Sequence, residues 1–133
     1  MTTPVTKPIP EPDDVSAPFW EGARDHRLML MKCSACGMFR LPARNHCPGC
    51  LSDESTWEQA SGKGTIRTFG VMHQRYHPAF ETPYNIAIVE LAEGPRITTN
   101  IVGADLAELS VGMAVTVEWE DHDDVALPKF HPA

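Results

Sequence analysis

Apolar positions in this chain change period twice, and the changes mark its parts. Residues 1–15 carry Pro4, Pro8, Pro10 and Pro12 among Thr, Glu and Asp with no apolar period, which predicts an extended arm. Ser16 stands where a helix cap is expected, Pro18 falls in the first turn, and Phe19, Trp20, Ala23 and Arg27 form a stripe at helical spacing despite Gly22. A helix of about three turns follows from that spacing. Leu28 to Lys32 and Met38 to Leu41 are two compact apolar runs on either side of a turn, and they predict a hairpin that Pro42 stops. Trp57 then stands in a polar bridge that ends at Ser61-Gly62-Lys63-Gly64, a boundary by its glycines.

Beyond Thr65 the period becomes two. Ile66 and then Phe69 and Val71 are apolar with a change of phase near Thr68 and Gly70, the mark of one long strand bent by a bulge. Ile86 and Ile88, then Ile97 and Ile101, then Val115, Val117 and Trp119 give three more strands. Leu127 to Phe130 offers a fifth, Pro-interrupted edge strand, and residues 104–109 leave room for one helical turn between the third and the fourth. The expected fold is mainly β: an N-terminal helix and a small ribbon, then a five-stranded OB-fold barrel. A small β-sandwich fits the same strand count. The domains read as an arm over 1–15, a helix and ribbon over 16–61 and a barrel over 62–133.

Composition adds little to this picture, and charge adds more. The 133 residues are 42% apolar and carry a formal net charge of −7, enough apolar material for a core and the wrong sign for a polyanionic partner. Residues 24–50 nevertheless hold Arg24, Arg27, Lys32, Arg40 and Arg44 against Asp25 alone, whereas residues 62–133 hold five basic residues against ten acidic ones. No stretch is long and apolar enough to span a bilayer, and the N-terminus lacks the pattern of a secretion signal, so a cytoplasmic location without a membrane partner is the expectation.

The four cysteines carry the clearest chemistry. Cys33, Cys36, Cys47 and Cys50 form two Cys-x2-Cys turns ten residues apart, and in a reducing compartment that spacing reads as a metal site. Two intervening residues let both thiolates of a turn reach one ion at about 2.3 Å, and two such turns complete a tetrahedral sulfur shell for a structural Zn2+. Iron in the same shell would make the chain a small electron carrier. Closure of the shell leaves no open position for substrate, and His26 and His46 are then not needed as ligands. The neighbouring basic residues offset the −2 of four thiolates on a dication, or bind phosphates.

The rest of the chain shows no nucleophile elbow and no phosphate-cradling loop. The long segment from His73 to Tyr84, with Arg75, Tyr76, His77, Phe80 and Tyr84, reads as an interaction loop. Its aromatics suit a single-strand nucleic-acid module, the alternative function, but the acidic Asp121-His122-Asp123-Asp124 loop opposes a phosphate backbone, so no nucleic-acid partner is expected.

The order of landmarks is specific: Phe19-Trp20, Cys33-x2-Cys36-Gly37, Leu41-Pro42, Cys47-Pro48-x-Cys50, Gly64-Thr65-Ile66, Ile88-Val89-Glu90-Leu91, Val111-Gly112-Met113 and Pro128-Lys129-Phe130. Over about residues 16–131 the chain resembles the acyl-CoA-associated family in which a rubredoxin-like zinc ribbon is fused to an OB fold. That resemblance implies a small, non-catalytic partner of a thiolase-like subunit that makes or breaks carbon–carbon bonds of CoA thioesters, with the nucleophile on the partner. It also implies an assembly with two copies of each chain and a CoA thioester at their interface. On charge and position, Arg40, Arg44 and Arg75 are the candidate contacts for CoA phosphates, and His73, Tyr76, Phe80 and Tyr84 the candidate partner or substrate loop.

Overall fold

A computed structural model describes residues 8–133. Residues 1–7 of the expected arm lie outside the described residues; residues 8–13 have no regular secondary structure. The first helix, α1 (Ala17–Arg24), is shorter than its apolar stripe predicts. Ser16 makes no side-chain cap to it. Instead Asp13 and Ser16 bond reciprocally, the Ser16 amide donating to Asp13 Oδ1 at 2.7 Å and the Asp13 amide to Ser16 Oγ at 3.1 Å. The Ser16 amide draws the Asp13 carboxyl below its ordinary range.

The helix stops because His26 adopts a left-handed conformation (φ 59°). The His26 amide then donates to the Ala23 carbonyl and the Arg27 amide to the Gly22 carbonyl, both at 2.9 Å, a Schellman closure that leaves Arg27 outside the helix. His26 is held there by the second half of the chain. Its ring stacks on Trp119 with centroids 5.7 Å apart, and its Nε2 lies 2.7 Å from Asp121 Oδ1.

Two sheets follow. The first has the order β2-β1-β3, built from β1 (Met29–Cys33), β2 (Phe39–Arg40) and β3 (Ser55–Gln59). The hairpin is where the apolar runs place it, but the pairing of β3 with all five residues of β1 turns the presumed polar bridge around Trp57 into a strand. With one large apolar residue among Ser-Thr-Trp-Glu-Gln, β3 carries too little alternation to announce itself, and its order comes from pairing rather than propensity.

The second sheet has the order β6-β5-β4-β7-β8. Its members are β4 (Lys63–Met72), β5 (Tyr84–Leu91), β6 (Arg96–Thr99), β7 (Ala114–Asp121) and β8 (Ala126–Pro132). All four neighbouring pairs are antiparallel, and a parallel bridge between Ile101 and Phe130 brings the two edges together. This is the OB-fold connection pattern, with a short 3-10 turn (Leu106–Glu108) in the predicted gap. The bulge falls between Ile66 and Thr68 of β4, which lets one strand serve both β5 and β7.

The structure decides which face of β5 points inward. On β5 the core face is Asn85, Ala87, Val89 and Leu91, while Ile86 and Ile88 sit half-buried on the other side. Apolar residues occupy both faces of this strand, so alternation alone does not choose between them.

The core is continuous across the two sheets. Phe19, Leu28 and Leu30 from the helix and ribbon join Ile66, Val89, Leu91, Val115 and Phe130 from the barrel in one cluster, and Phe130 is fully buried. Burying a side chain of that size contributes about 2–3 kcal/mol. The tightest approach of a glycine to neighbouring backbone is at Gly64, where a Cβ would stand 2.8 Å from the Glu90 carbonyl oxygen and 2.5 Å from Val89 Cγ1. Backbone cannot give way as a flexible side chain can. Gly64→Ala is therefore expected to destabilise the protein by about 2–3 kcal/mol in urea unfolding, against less than about 1 kcal/mol for Gly70→Ala, because nothing lies within 4 Å of a Cβ at Gly70.

Candidate functional site

The four cysteines meet at the end of the ribbon remote from α1. Cys33 closes β1, Cys36 follows it through a tight turn, and Cys47 and Cys50 lie on the loop from β2 to β3. Both turns are built alike. The Gly37 amide donates to the Cys33 carbonyl and the Leu51 amide to the Cys47 carbonyl, each at 2.9 Å. The Cys33 amide donates to Met38 and the Cys47 amide to Ser52, at 2.8 and 2.9 Å. In both turns the residue after the second cysteine is left-handed, Gly37 at φ 79° and Leu51 at φ 65°. Glycine takes that conformation freely, whereas it costs an L-residue such as leucine about 1–2 kcal/mol.

The sulfurs all lie within 4.8 Å of one another, with Cys33 to Cys50 at 3.5 Å and Cys36 to Cys47 at 3.6 Å. A disulfide requires about 2.05 Å, so these are not bonded pairs. A tetrahedral ion with sulfur ligands at about 2.3 Å has edges near 3.8 Å, and the observed separations fit that figure. Cys33 and Cys47 are buried while Cys36 and Cys50 are exposed, so the centre shows one side to solvent.

The thiols also show why a cation belongs among them. The Cys36 amide, donating to Cys33 Sγ at 3.5 Å, draws Cys33 down to about 6, and the Cys50 amide lowers Cys47. Cys50 is lowered by the Ser52 amide, but its neighbours Cys33, Cys36 and Cys47 outweigh that and push it up to about 12. Cys36 likewise rises, because proximity to Cys47 and Cys33 outweighs the Met38 amide. One thiol of each pair is ready to ionise and the other is held back by like charge; a bound dication removes that conflict. The donor set fits a structural zinc ion, which would be held by all four sulfurs with no position left for substrate.

The basic candidates separate. Arg40 does not stand at the surface as a phosphate contact should: it is 3% exposed, and its terminal nitrogens Nη1 and Nη2 are buried without a hydrogen-bond partner. Its Nε donates to Met31 Sδ at 3.0 Å and to the Arg44 carbonyl at 3.1 Å. Arg40 thus fastens the loop that carries Cys47 to strand β1. Arg44 and Arg75 are exposed, and Arg75 donates to the Pro78 carbonyl at 2.6 Å.

The aromatic loop candidates separate as well. Tyr76 and His73 are exposed. Phe80 and Tyr84, with ring centroids 6.1 Å apart, face a groove of about 940 Å3 between α1, the ribbon and the barrel. Phe19 and Trp20 from α1, Leu41 and Pro42 after β2, Ile86 of β5 and Leu127 of β8 complete its apolar walls. Along the barrel side runs a polar strip. Asn85 accepts from the Ile101 amide at 2.7 Å and donates to its carbonyl at 2.8 Å, Asn100 donates to the Asn85 carbonyl, and Lys129 Nζ donates to Asn100 Oδ1 at 2.6 Å. The sequence pattern gives no sign of this groove, because its walls come from segments more than 100 residues apart.

Among the described residues no serine is paired with a base. The serine hydroxyls at 16, 52 and 61 accept from backbone amides, and the rings of His26, His122, His77 and His131 bond to Asp121, Glu120, the Ala79 amide and the Pro132 carbonyl. Also among the described residues, no helix is long and apolar enough to cross a membrane.

The buried Arg40 gives a two-variant test. Arg40→Ala removes the packed stem and the bond to the Arg44 carbonyl, with an expected loss of about 2–4 kcal/mol in denaturant unfolding of the metal-loaded chain. Arg40→Met keeps the stem and removes the uncompensated charge, so its expected loss is less than about 1.5 kcal/mol.

Comparison with known proteins agrees with this geometry. A family model described as the ChsH2 rubredoxin-like zinc ribbon domain matches residues 20–56, and one described as the ChsH2 C-terminal OB-fold domain matches residues 57–120. The probable enoyl-CoA hydratase alpha subunit of Thermomonospora curvata is 41% identical over 117 residues, which are 86% of this chain and 37% of that protein. This chain therefore spans little more than a third of that relative. The benzoylsuccinyl-CoA thiolase subunit BbsA of Thauera aromatica is 29% identical over 108 residues, 76% of this chain and 69% of that subunit. A solved chain of the Ltp2-ChsH2(DUF35) aldolase superposes with a TM-score of 0.85 at 38% identity, covering 93% of this chain and 98% of that one. With four sulfurs at the ribbon tip and an OB fold behind them, the chain belongs to the ChsH2-type DUF35 family of zinc-ribbon and OB-fold proteins.

Proposed function

We propose that this chain is a non-catalytic, zinc-stapled accessory subunit of a complex that makes or breaks carbon–carbon bonds of acyl-CoA thioesters. Its partner is a thiolase-like subunit that carries the nucleophile, in an assembly of two copies of each. The observation that supports this most is the likeness to the aldolase chain, which extends over 98% of that chain's length. The thiolase subunit among the relatives supports the same partner class.

In this reading the groove shapes the partner's substrate site. Its apolar walls favour a dry, hydrophobic face, and its polar strip holds Asn85, Asn100 and Lys129 in fixed positions. Arg44 follows Ala43 of one wall, and Arg75 is tied to Pro78 beside Ala79 of the other. Two exposed guanidinium groups at these places suit the phosphates of CoA.

The hydratase alpha subunit among the relatives favours a second reading, in which the partner adds water across a double bond of the thioester instead. Identity of the co-purifying enzyme and its product separates the two: a shortened acyl-CoA for thiolysis or retro-aldol cleavage, a hydroxyacyl-CoA for hydration.

The test is reconstitution. Co-expression with the thiolase-like subunit of the same cells should give a stable complex with two copies of each chain by light scattering, and activity that neither chain has alone. Charge reversal at Arg44 and Arg75 together should weaken CoA binding by the complex roughly tenfold or more, with assembly intact. Unchanged CoA affinity in that double variant would remove the phosphate role. Failure of the wild-type chains to associate would remove the partner.

A further inference from the structure

The two cysteine turns share a backbone but not a residue at their tips. At the left-handed position of the first turn stands Gly37, which suits it. The corresponding position of the second turn holds Leu51, at φ 65°. Leucine has no conformational advantage there, and it gains nothing from burial. Its side chain is 75% exposed, more than any other exposed large hydrophobic among the described residues. Within the chain, both backbone conformation and solvation favour glycine or asparagine at this position. A residue that opposes its own fold on both counts points to an interaction outside it.

The surroundings of Leu51 extend the apolar character. Met38, 45% exposed, lies over the second turn, since a Cβ at Gly49 would stand 2.9 Å from Met38 Cε. Pro48 and Gly49 are exposed between the two ligands of that turn. Four sulfurs and the paired amide bonds of both turns hold this tip in one geometry, so little ordering entropy is lost when it is covered. A rigid apolar knob of this kind fits a shallow hydrophobic socket on a folded protein.

We infer that Leu51, supported by Met38, is the anchor by which the ribbon tip docks on the enzyme subunit of the complex. The inference rests on the proposed function for the identity of that partner, and it gives the metal centre a second role, that of holding a strained leucine outward. Folding and binding then respond with opposite signs at a single residue.

The experiment compares Leu51→Gly, Leu51→Asn and Leu51→Met in the full, zinc-loaded chain, measuring thermal midpoint alone and affinity for the purified thiolase-like subunit. Leu51→Gly should leave the midpoint unchanged or raise it, and weaken the complex roughly tenfold or more. Leu51→Asn, which tolerates the left-handed conformation, should weaken it similarly, and Leu51→Met should stay within about threefold of wild type. Affinity within about twofold of wild type for both the Gly and Asn variants would overturn the inference and leave the proposed function standing. A midpoint lowered by several degrees in Leu51→Gly would overturn it too, because the leucine would then serve its own fold. So would a loss of self-association without a change in affinity for the enzyme subunit. If the wild-type chain does not bind that subunit at all, both readings fall together.

Discussion

Four sulfur atoms packed closer than like charges tolerate are the constraint on which the ribbon depends. Strand β2 has two residues and β3 one large apolar one, too little for an isolated sheet of three strands to persist by burial alone. A tetrahedral ion would turn the conflict among four thiols into the strongest interaction of the ribbon, on the order of 10 kcal/mol or more for a structural zinc site. From that anchor follow the paired turns, the outward Leu51 and the loop that Arg40 secures.

The ribbon is not an appendage of the barrel. Leu28 and Leu30 enter the same core as Ile66 and Phe130, and His26 bridges from the end of α1 to Trp119 and Asp121. An exposed histidine–aspartate pair alone contributes less than about 1 kcal/mol, so the shared core contributes more to the attachment. This attachment fixes both walls of the groove, because Phe19, Trp20 and Leu41 on one side and Phe80, Tyr84 and Leu127 on the other belong to segments joined through that core. Apolar walls and a fixed polar strip thus form one continuous surface across ribbon and barrel.

Much of this was legible in the residue order, and what was not has physical reasons. The cysteine spacing announced the cluster of four sulfurs because only local geometry is needed to form it, and the phase change near Thr68 announced the bent first barrel strand. β3 was hidden because its order comes from pairing with β1. The inward face of β5 was not legible, because Ile86 and Ile88 compete with Ala87 and Val89 in a largely apolar strand. Arg40 carried the signal of a surface cation, yet whether a guanidinium is exposed depends on the strands around it, which no one-dimensional pattern records. The groove was invisible for the same reason: it is made by the contact of distant segments.

A metal ion, more than apolar burial, would hold the two cysteine turns in place, while the core that ribbon and barrel share persists without it. Metal analysis combined with hydrogen exchange before and after chelation tests it directly. The expected result is one zinc per chain, with chelation erasing protection at the amides of Cys33, Gly37, Cys47 and Leu51 while β4, β5 and β7 keep theirs. Iron in place of zinc, or turn amides that stay protected once the metal is gone, would contradict it.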